Sequence, residues 1–256
     1  MNSKDLMPKF LAASFAAFLL SAAVVSTTFG QAAFDPHDLS GVWRKAQGFG
    51  ALSLSAKPPA FTPLGQKLFD ANKPSYGPRA VPPALGNDPT GNCDPLGLVR
   101  NIILEVGIYR MEFVPSKDRV FQFFEWAHSY RTIWTDGTQL PKDPDPTFNG
   151  ISVGKWDGDT LVVDSVGFDD RTWLDHFGVP HSDEMRLQER YRRISQDNLE
   201  MSVTLTDPKI FVTPWVSDKK MFQLVPKMKF PELFCVPSQE QEFNRVVRDP
   251  AGGLKK

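Results

Sequence analysis

Apolar and polar residues alternate in short runs between residues 101 and 225, and a period of two marks half-buried strands. The pattern predicts strands at Ile102–Val106, Tyr109–Pro115, Arg119–Trp126 and Ser129–Thr135, with turns at Lys117-Asp118 and Asp136-Gly137. A hairpin follows from Val153 to Asp164, where Asp157-Gly158 favours a type I′ turn. A second hairpin has arms Met185–Ile194 and Leu199–Thr206, and Ile210–Val216 and Lys219–Val225 end the series. One earlier strand is expected within Asp38–Arg44. Short strands joined by small turns make a meander, so the expected fold is all-β, an antiparallel barrel or a related sandwich.

Two segments break this period. Residues 57–97 carry nine prolines, with Phe61, Leu64, Leu68, Phe69, Tyr76 and Leu85 as apolar anchors, and read as an extended, ordered strap. One short helix fits inside it, Thr62 to Ala71, with Thr62 as N-cap and Pro63 at the first helical position. Residues 238–248 read as one closing helix, Ser238 its N-cap and Gln241 three residues on. The tail from Asp249 should fray.

At the N-terminus Lys4 and Lys9 precede an apolar run from Phe10 to Val25, and small residues follow through Gly30–Ala32. That order predicts a secretory signal peptide over residues 1–32, a periplasmic or secreted protein, and a single barrel-like domain over 33–256. The run falls short of the roughly 20 residues a spanning helix needs, and no stable membrane span is expected. Composition is that of a globular chain, 41% hydrophobic and 23% charged. A net charge of -1 leaves no field to hold nucleic acid or an anionic membrane. Cys93 and Cys235 are an even pair, most simply a disulfide in an oxidising compartment; two buried free thiols are the alternative.

Gly41-Val42-Trp43 at the head of a secreted β-meander resembles the G-x-W start of the lipocalins and the wider calycin barrels. The resemblance implies that Trp43 closes one barrel end against a basic residue from a late strand, with Arg190, Arg192 and Lys220 as candidates. From Gly41 onward the chain is also similar to an uncharacterised family of secreted bacterial β-rich proteins. The stretches that carry this are Gly86-Asn87-Asp88-Pro89, Ser152-Val153-Gly154-Lys155-Trp156, Arg171-Thr172-Trp173-Leu174-Asp175, Pro180-His181-Ser182-Asp183 and Glu189-Arg190-Tyr191-Arg192-Arg193. This second resemblance implies architecture and no activity.

Strand alternation also suggests where chemistry could sit. In the arm from residue 185, Met185, Leu187, Glu189 and Tyr191 share a face, and their apolar company turns Glu189 inward. A carboxylate there needs a partner or a raised pKa. A Glu189–Arg131 or Glu189–Arg171 ion pair bracing the barrel is the simplest provision. Between residues 121 and 134 both faces carry aromatics, and a bend near His128 could exchange them.

The loop from Asp169 to Asp183 holds two of the four histidines, four aspartates, Arg171 and Trp173. Three readings are open for it: a metal site using His176, His181 and Asp175 or Asp183 with His128; an acid–base site; and a hydrogen-bonded lid with His181 against Trp173. The expected polar site gathers His128, His181, Glu189 and Asp175. Arg131, Trp134, Trp126, Tyr130, Trp173 and Tyr191 are the candidate ligand-binding residues beside it. No GxSxG, GxGxxG or GxxxxGK[ST] occurs, so neither a serine nucleophile nor a nucleotide cofactor is expected, and no cofactor is assigned. The leading functional reading is a barrel that holds a small apolar or aromatic molecule in its cavity. The alternative is a cofactor-independent lyase, hydratase or isomerase with a His–carboxylate proton shuttle on such a ligand.

Overall fold

Alternating residues become strands along most of the expected stretch. The computed structural model describes residues 34–46, 52–105, 109–231 and 233–254, so the expected signal peptide lies outside the described residues. The strands are Gly41–Lys45 (β1), Arg110–Pro115 (β2), Arg119–Phe124 (β3), Tyr130–Trp134 (β4), Ile151–Asp157 (β5), Thr160–Val166 (β6), Arg186–Ser195 (β7), Asn198–Thr206 (β8), Trp215–Val216 (β9) and Lys220–Leu224 (β10). Neighbours pair in chain order from β1 to β8, and β10 bridges β8 back to β1. Nine strands therefore close a barrel rather than form a sandwich, and β9 adds a two-residue pairing beside the end of β8.

One pairing departs from the expected antiparallel meander. β4 and β5 run parallel, through only Ile133↔Ser152 and Trp134↔Val153. A parallel step needs a crossover, and residues 135–150 supply it by returning along the outside of the wall.

Other departures have local causes. Of the strand expected at Ile102–Val106, Ile102 ends a short helix, Leu98–Ile102 (α2), preceded by Gly97 at φ +81°; Ile103 to Glu105 continue as a turn, and Val106 lies outside the described residues. Ile102, Ile103, Leu104 and Glu105 are all buried, and a short run buried on every side has no period from which to read a strand. The strand expected over Ile210–Val216 shrinks to β9 and one bridge, Phe61↔Phe211, because Ile210 and Phe211 both donate to the Asp207 carbonyl in a turn. In the β5–β6 hairpin only Gly158 of the two turn residues has positive φ, at +54°, which fits a type II′ rather than a type I′ turn. The closing helix begins one residue early, at Pro237–Phe243 (α3), with Val236 as N-cap and no side-chain cap from Ser238. It continues as a wide turn over Asn244–Arg248.

Thr62 caps the strap helix Pro63–Ala71 (α1) as expected, accepting from the Gly65 amide at 3.0 Å. The helix lies so close to the barrel that a Cβ on Gly65 would stand 2.3 Å from the Ile210 carbonyl oxygen. Strand directions place Lys45, Phe124, Tyr130, Val166, Arg186 and Lys220 at one barrel end, and the strap, α2 and the loop 167–185 converge there. At the opposite end Trp43 is fully buried and donates to the Leu39 carbonyl at 2.9 Å. The basic group beside it is Arg193, 5.7 Å from its ring, and not Arg190, Arg192 or Lys220. Arg193 follows Glu189 and Tyr191 in the inward alternation of β7.

Cys93 and Cys235 are bonded to each other, across 142 residues, and tie the strap to the segment before α3. Closing so long a loop lowers the entropy of the unfolded chain by about 5 kcal/mol in the chain-entropy account. The double variant Cys93→Ser/Cys235→Ser should lose most of that in urea unfolding, with a loss below about 1 kcal/mol counting against the disulfide as the main tie of the strap.

Candidate functional site

Inside the barrel lies a buried polar network. Glu189 is fully buried and accepts two hydrogen bonds from Arg131, at 2.7 and 2.5 Å, so the ion-pair partner is Arg131 and not Arg171. Arg171 instead pairs with Asp169 on the surface. Tyr191 donates to Glu189 at 2.6 Å, and Arg131 Nε donates to Gln122 at 2.8 Å. Arg131 also reaches Ser152 at 3.3 Å, and Ser152 meets Ser165 at 2.8 Å. Burial opposes the charge on Arg131, yet the Glu189 carboxylate outweighs it and strengthens the guanidinium's hold on its proton. Burial, then the neighbouring carboxylate, pushes the Tyr191 hydroxyl well above the usual phenol range. Trp43, Met111, Phe113, Ile133, Val163, Met201 and Phe222 are also fully buried within the barrel. Its interior is occupied by its own side chains.

The expected gathering of His128, His181 and Glu189 does not occur. Ala127 and His128 both take left-handed backbone, φ +50° and +49°, and reverse the alternation between β3 and β4. Even positions point inward in β3 and odd positions in β4, so Arg131 turns in while Tyr130 and Trp134 turn out. His128 is left exposed outside the wall, stacked on Phe234 at 4.7 Å. Its Nε2 lies 2.9 Å from the Leu233 amide and 3.0 Å from the Pro231 carbonyl oxygen, and one protonation state serves only one of them.

His181 is buried in the loop. Its Nδ1 hydrogen meets the Ser182 carbonyl at 3.1 Å, which leaves Nε2 to accept from Thr172 at 2.8 Å. Burial lowers its pKa, so it stays neutral, and its ring partner is Phe168 where Trp173 was expected. The metal reading is not assembled either: His176 contacts Glu105, His181 is spent on Thr172 and Ser182, and Asp183 holds Lys209. No group of three potential metal-ligating residues comes together among the described residues.

Ionisable groups converge instead at the strap end, mostly ones that alternation alone did not single out. Arg100, on α2, donates to Glu105 at 2.6 Å and to both oxygens of Asp88 at 3.0 Å. His176 Nδ1 stands 2.7 Å from Glu105 and 3.0 Å from Arg100 Nη2. Nδ1 serves one of them at a time, donating to the Glu105 carboxylate or accepting from the guanidinium. Glu105 Oε1 has no hydrogen-bond partner among the described residues. Asp175 accepts from Ser53 at 2.5 Å and from the Phe177 and Val179 amides; burial raises its pKa to about 6 against these bonds. Lys45 and Lys220 point into the same end and donate to the Leu104 and Ser53 carbonyls.

Some of this was readable beforehand. Gly41, Trp43 and Lys45 alternate together, as do Phe222 and Lys220, so both lysines belong to the inward face. Asp88, Arg100 and Glu105 carry no such signal, because they lie in the strap, on α2 and in the turn after it.

Outside the wall, the parallel step leaves a cleft of about 550 Å³. It is lined by His128, Tyr130, Thr132 and Trp134 from the β4 side and by Phe148 and Asn149 from the end of the crossover. Arg119 covers one face of Trp134 at 4.0 Å, and Asn149 donates to the Tyr130 carbonyl at 3.1 Å. Of the other candidate ligand-binding residues, Trp126 packs at a tilt against Tyr109 near Glu105, Trp173 is buried in the loop, and Tyr191 belongs to the interior network. Comparison with protein-family models, curated proteins and solved structures gives no match.

Two outcomes follow. Glu189→Gln leaves the Arg131 charge without its carboxylate and should cost about 3–5 kcal/mol in denaturant unfolding, while Arg131→Met/Glu189→Met should recover most of that loss. A double variant as unstable as the single one would show that the pair is not the source of the cost. Asp175 binds its proton more tightly folded, at about 6, than at its ordinary 3.8, so its contribution is full below pH 4 and is lost as pH rises through 6. Asp175→Asn should therefore gain stability relative to the native chain between pH 4 and 7, by up to about 3 kcal/mol, in thermal or urea unfolding at each pH.

Proposed function

We propose that this chain is an extracytoplasmic binding protein for a small aromatic or apolar molecule, held in the outer cleft between β4 and the end of the crossover. The carrying observation is that Tyr130, Trp134 and Phe148 meet around a space of about 550 Å³ while the barrel interior is filled by its own side chains. That volume lies within the 300–1,000 Å³ typical of small-molecule sites. The ligand site thus moves from inside the barrel to its wall. Aromatic pairs contribute about 0.5–1.5 kcal/mol beyond the area they bury, and offset or edge-on rings fix the orientation of a flat guest. Thr132, Asn149 and His128 add polar groups around the rings.

The basic, apolar and small-residue order of residues 1–32 supports export, and the Cys93–Cys235 disulfide is compatible with an oxidising compartment. No helix among the described residues is long and apolar enough to cross a membrane. The proton-shuttle alternative loses its expected triad, since His128, His181 and Glu189 have separate partners.

Mass spectrometry of molecules retained through native purification should find an aromatic or apolar compound. Calorimetric titration with indole as a probe should then show binding that Trp134→Ala and Tyr130→Ala each weaken about tenfold. Tyr130 is 57% exposed, so its replacement leaves the fold intact. Indole affinity unchanged in both variants would refute the cleft as the site.

A further inference from the structure

Two lysines lie side by side at the strap end. Lys45 ends β1 on the inner face with Trp43, and Lys220 begins β10 on the inner face with Phe222. The register pairs Lys45 with Phe222, so Lys220 occupies the next inward position of the adjacent strand. They are only 8% and 2% exposed. Lys45 Nζ donates to the Leu104 carbonyl at 3.3 Å and Lys220 Nζ to the Ser53 carbonyl at 3.0 Å. Among the described residues no carboxylate comes within ion-pair distance of Lys220.

The surrounding groups come from several elements. Glu105, after α2, acts on Lys45, and Asp218, before β10, acts on Lys220. Ser53 joins the second lysine to the loop, its carbonyl accepting from Lys220 and its hydroxyl donating to Asp175 at 2.5 Å. Burial and then the neighbouring Lys220 lower the Lys45 pKa to about 8, although Glu105 opposes them; burial lowers Lys220 as well. A desolvated amine beside a second cation is the arrangement that activates lysine as a nucleophile toward carbonyl carbon.

We propose that Lys45, with Lys220 beside it, forms a second site, separate from the outer cleft, that binds a small aldehyde or ketone as an imine. The Lys45 lone pair forms the C–N bond, and the carbonyl π pair moves to oxygen. That oxygen takes a proton from the nitrogen, then leaves with a second proton as water, and a C=N bond remains. The step is a condensation without redox change. Lys220 stabilises the developing negative charge on oxygen, and Asp175, linked through Ser53, is the nearby acid that passes a proton to the departing oxygen.

The experiment uses the whole protein, propionaldehyde as the probe and cyanoborohydride to trap the imine at pH 7, with each lysine quantified by peptide mass spectrometry. Lys45 should be alkylated at least about tenfold faster than exposed Lys219, since burial and the neighbouring Lys220 lower its pKa to about 8. Lys220→Met should slow Lys45 about tenfold and leave Lys219 unchanged, whereas Lys220→Arg, which keeps the cation, should preserve the rate. Should Lys220→Met fail to fold, the native chain and Lys220→Arg still decide the matter. Labelling of Lys45 no faster than Lys219, or a Lys45 rate indifferent to loss of the Lys220 charge in a folded variant, would overturn the site.

Discussion

The Arg131–Glu189 pair is the constraint around which the barrel is packed. Two charges removed from water are tolerated only when their remaining hydrogen-bonding groups are met, and here Gln122, Ser152 and Tyr191 meet them. These side chains come from β3, β5 and β7, with Arg131 on β4 and Ser165 of β6 joined through Ser152. Five consecutive strands thus depend on one register. A one-residue slip in any of them would turn its member of the network out of the barrel.

The network also spans the shortest seam of the closed barrel. β4 and β5 share only two residue pairs, and the bond from Arg131 to Ser152 crosses that seam from inside. On the outside the same seam opens as the cleft, where the crossover returns past Tyr130 and Trp134. The parallel step therefore has two consequences: the interior needs side-chain ties across it, and the exterior gains a concave aromatic surface.

The strap end follows a different rule. Elements distant in sequence meet there, and their charges neutralise one another locally: Arg100 with Asp88 and Glu105, and Lys45 near Glu105. The Cys93–Cys235 bond and the contacts of Gly65 with Ile210 hold the strap in place over this end. Asp175 and Lys45 are shifted in opposite directions for one reason, since burial disfavours the charged form of each.

The sequence by itself determined what is local or periodic. Alternation located most of the strands, Thr62-Pro63 marked the start of α1, the cysteine pair gave the one covalent tie, and the company of Glu189 turned that carboxylate inward. It also contained, unread, the inward parity of Lys45, Lys220 and Arg193. Tertiary structure alone decided the rest. Whether Ile102 lay in a strand or a helix depended on burial from every side, which leaves no period to read. The reversal of faces at Ala127 and His128 came from two left-handed residues that carry no glycine signal, and it sent His128 out and Arg131 in. The parallel seam and the outer cleft arise from the crossover between β4 and β5, and the meeting of Lys45 with Lys220 from closure of the barrel through β10; both are pairings between distant segments that no local pattern encodes.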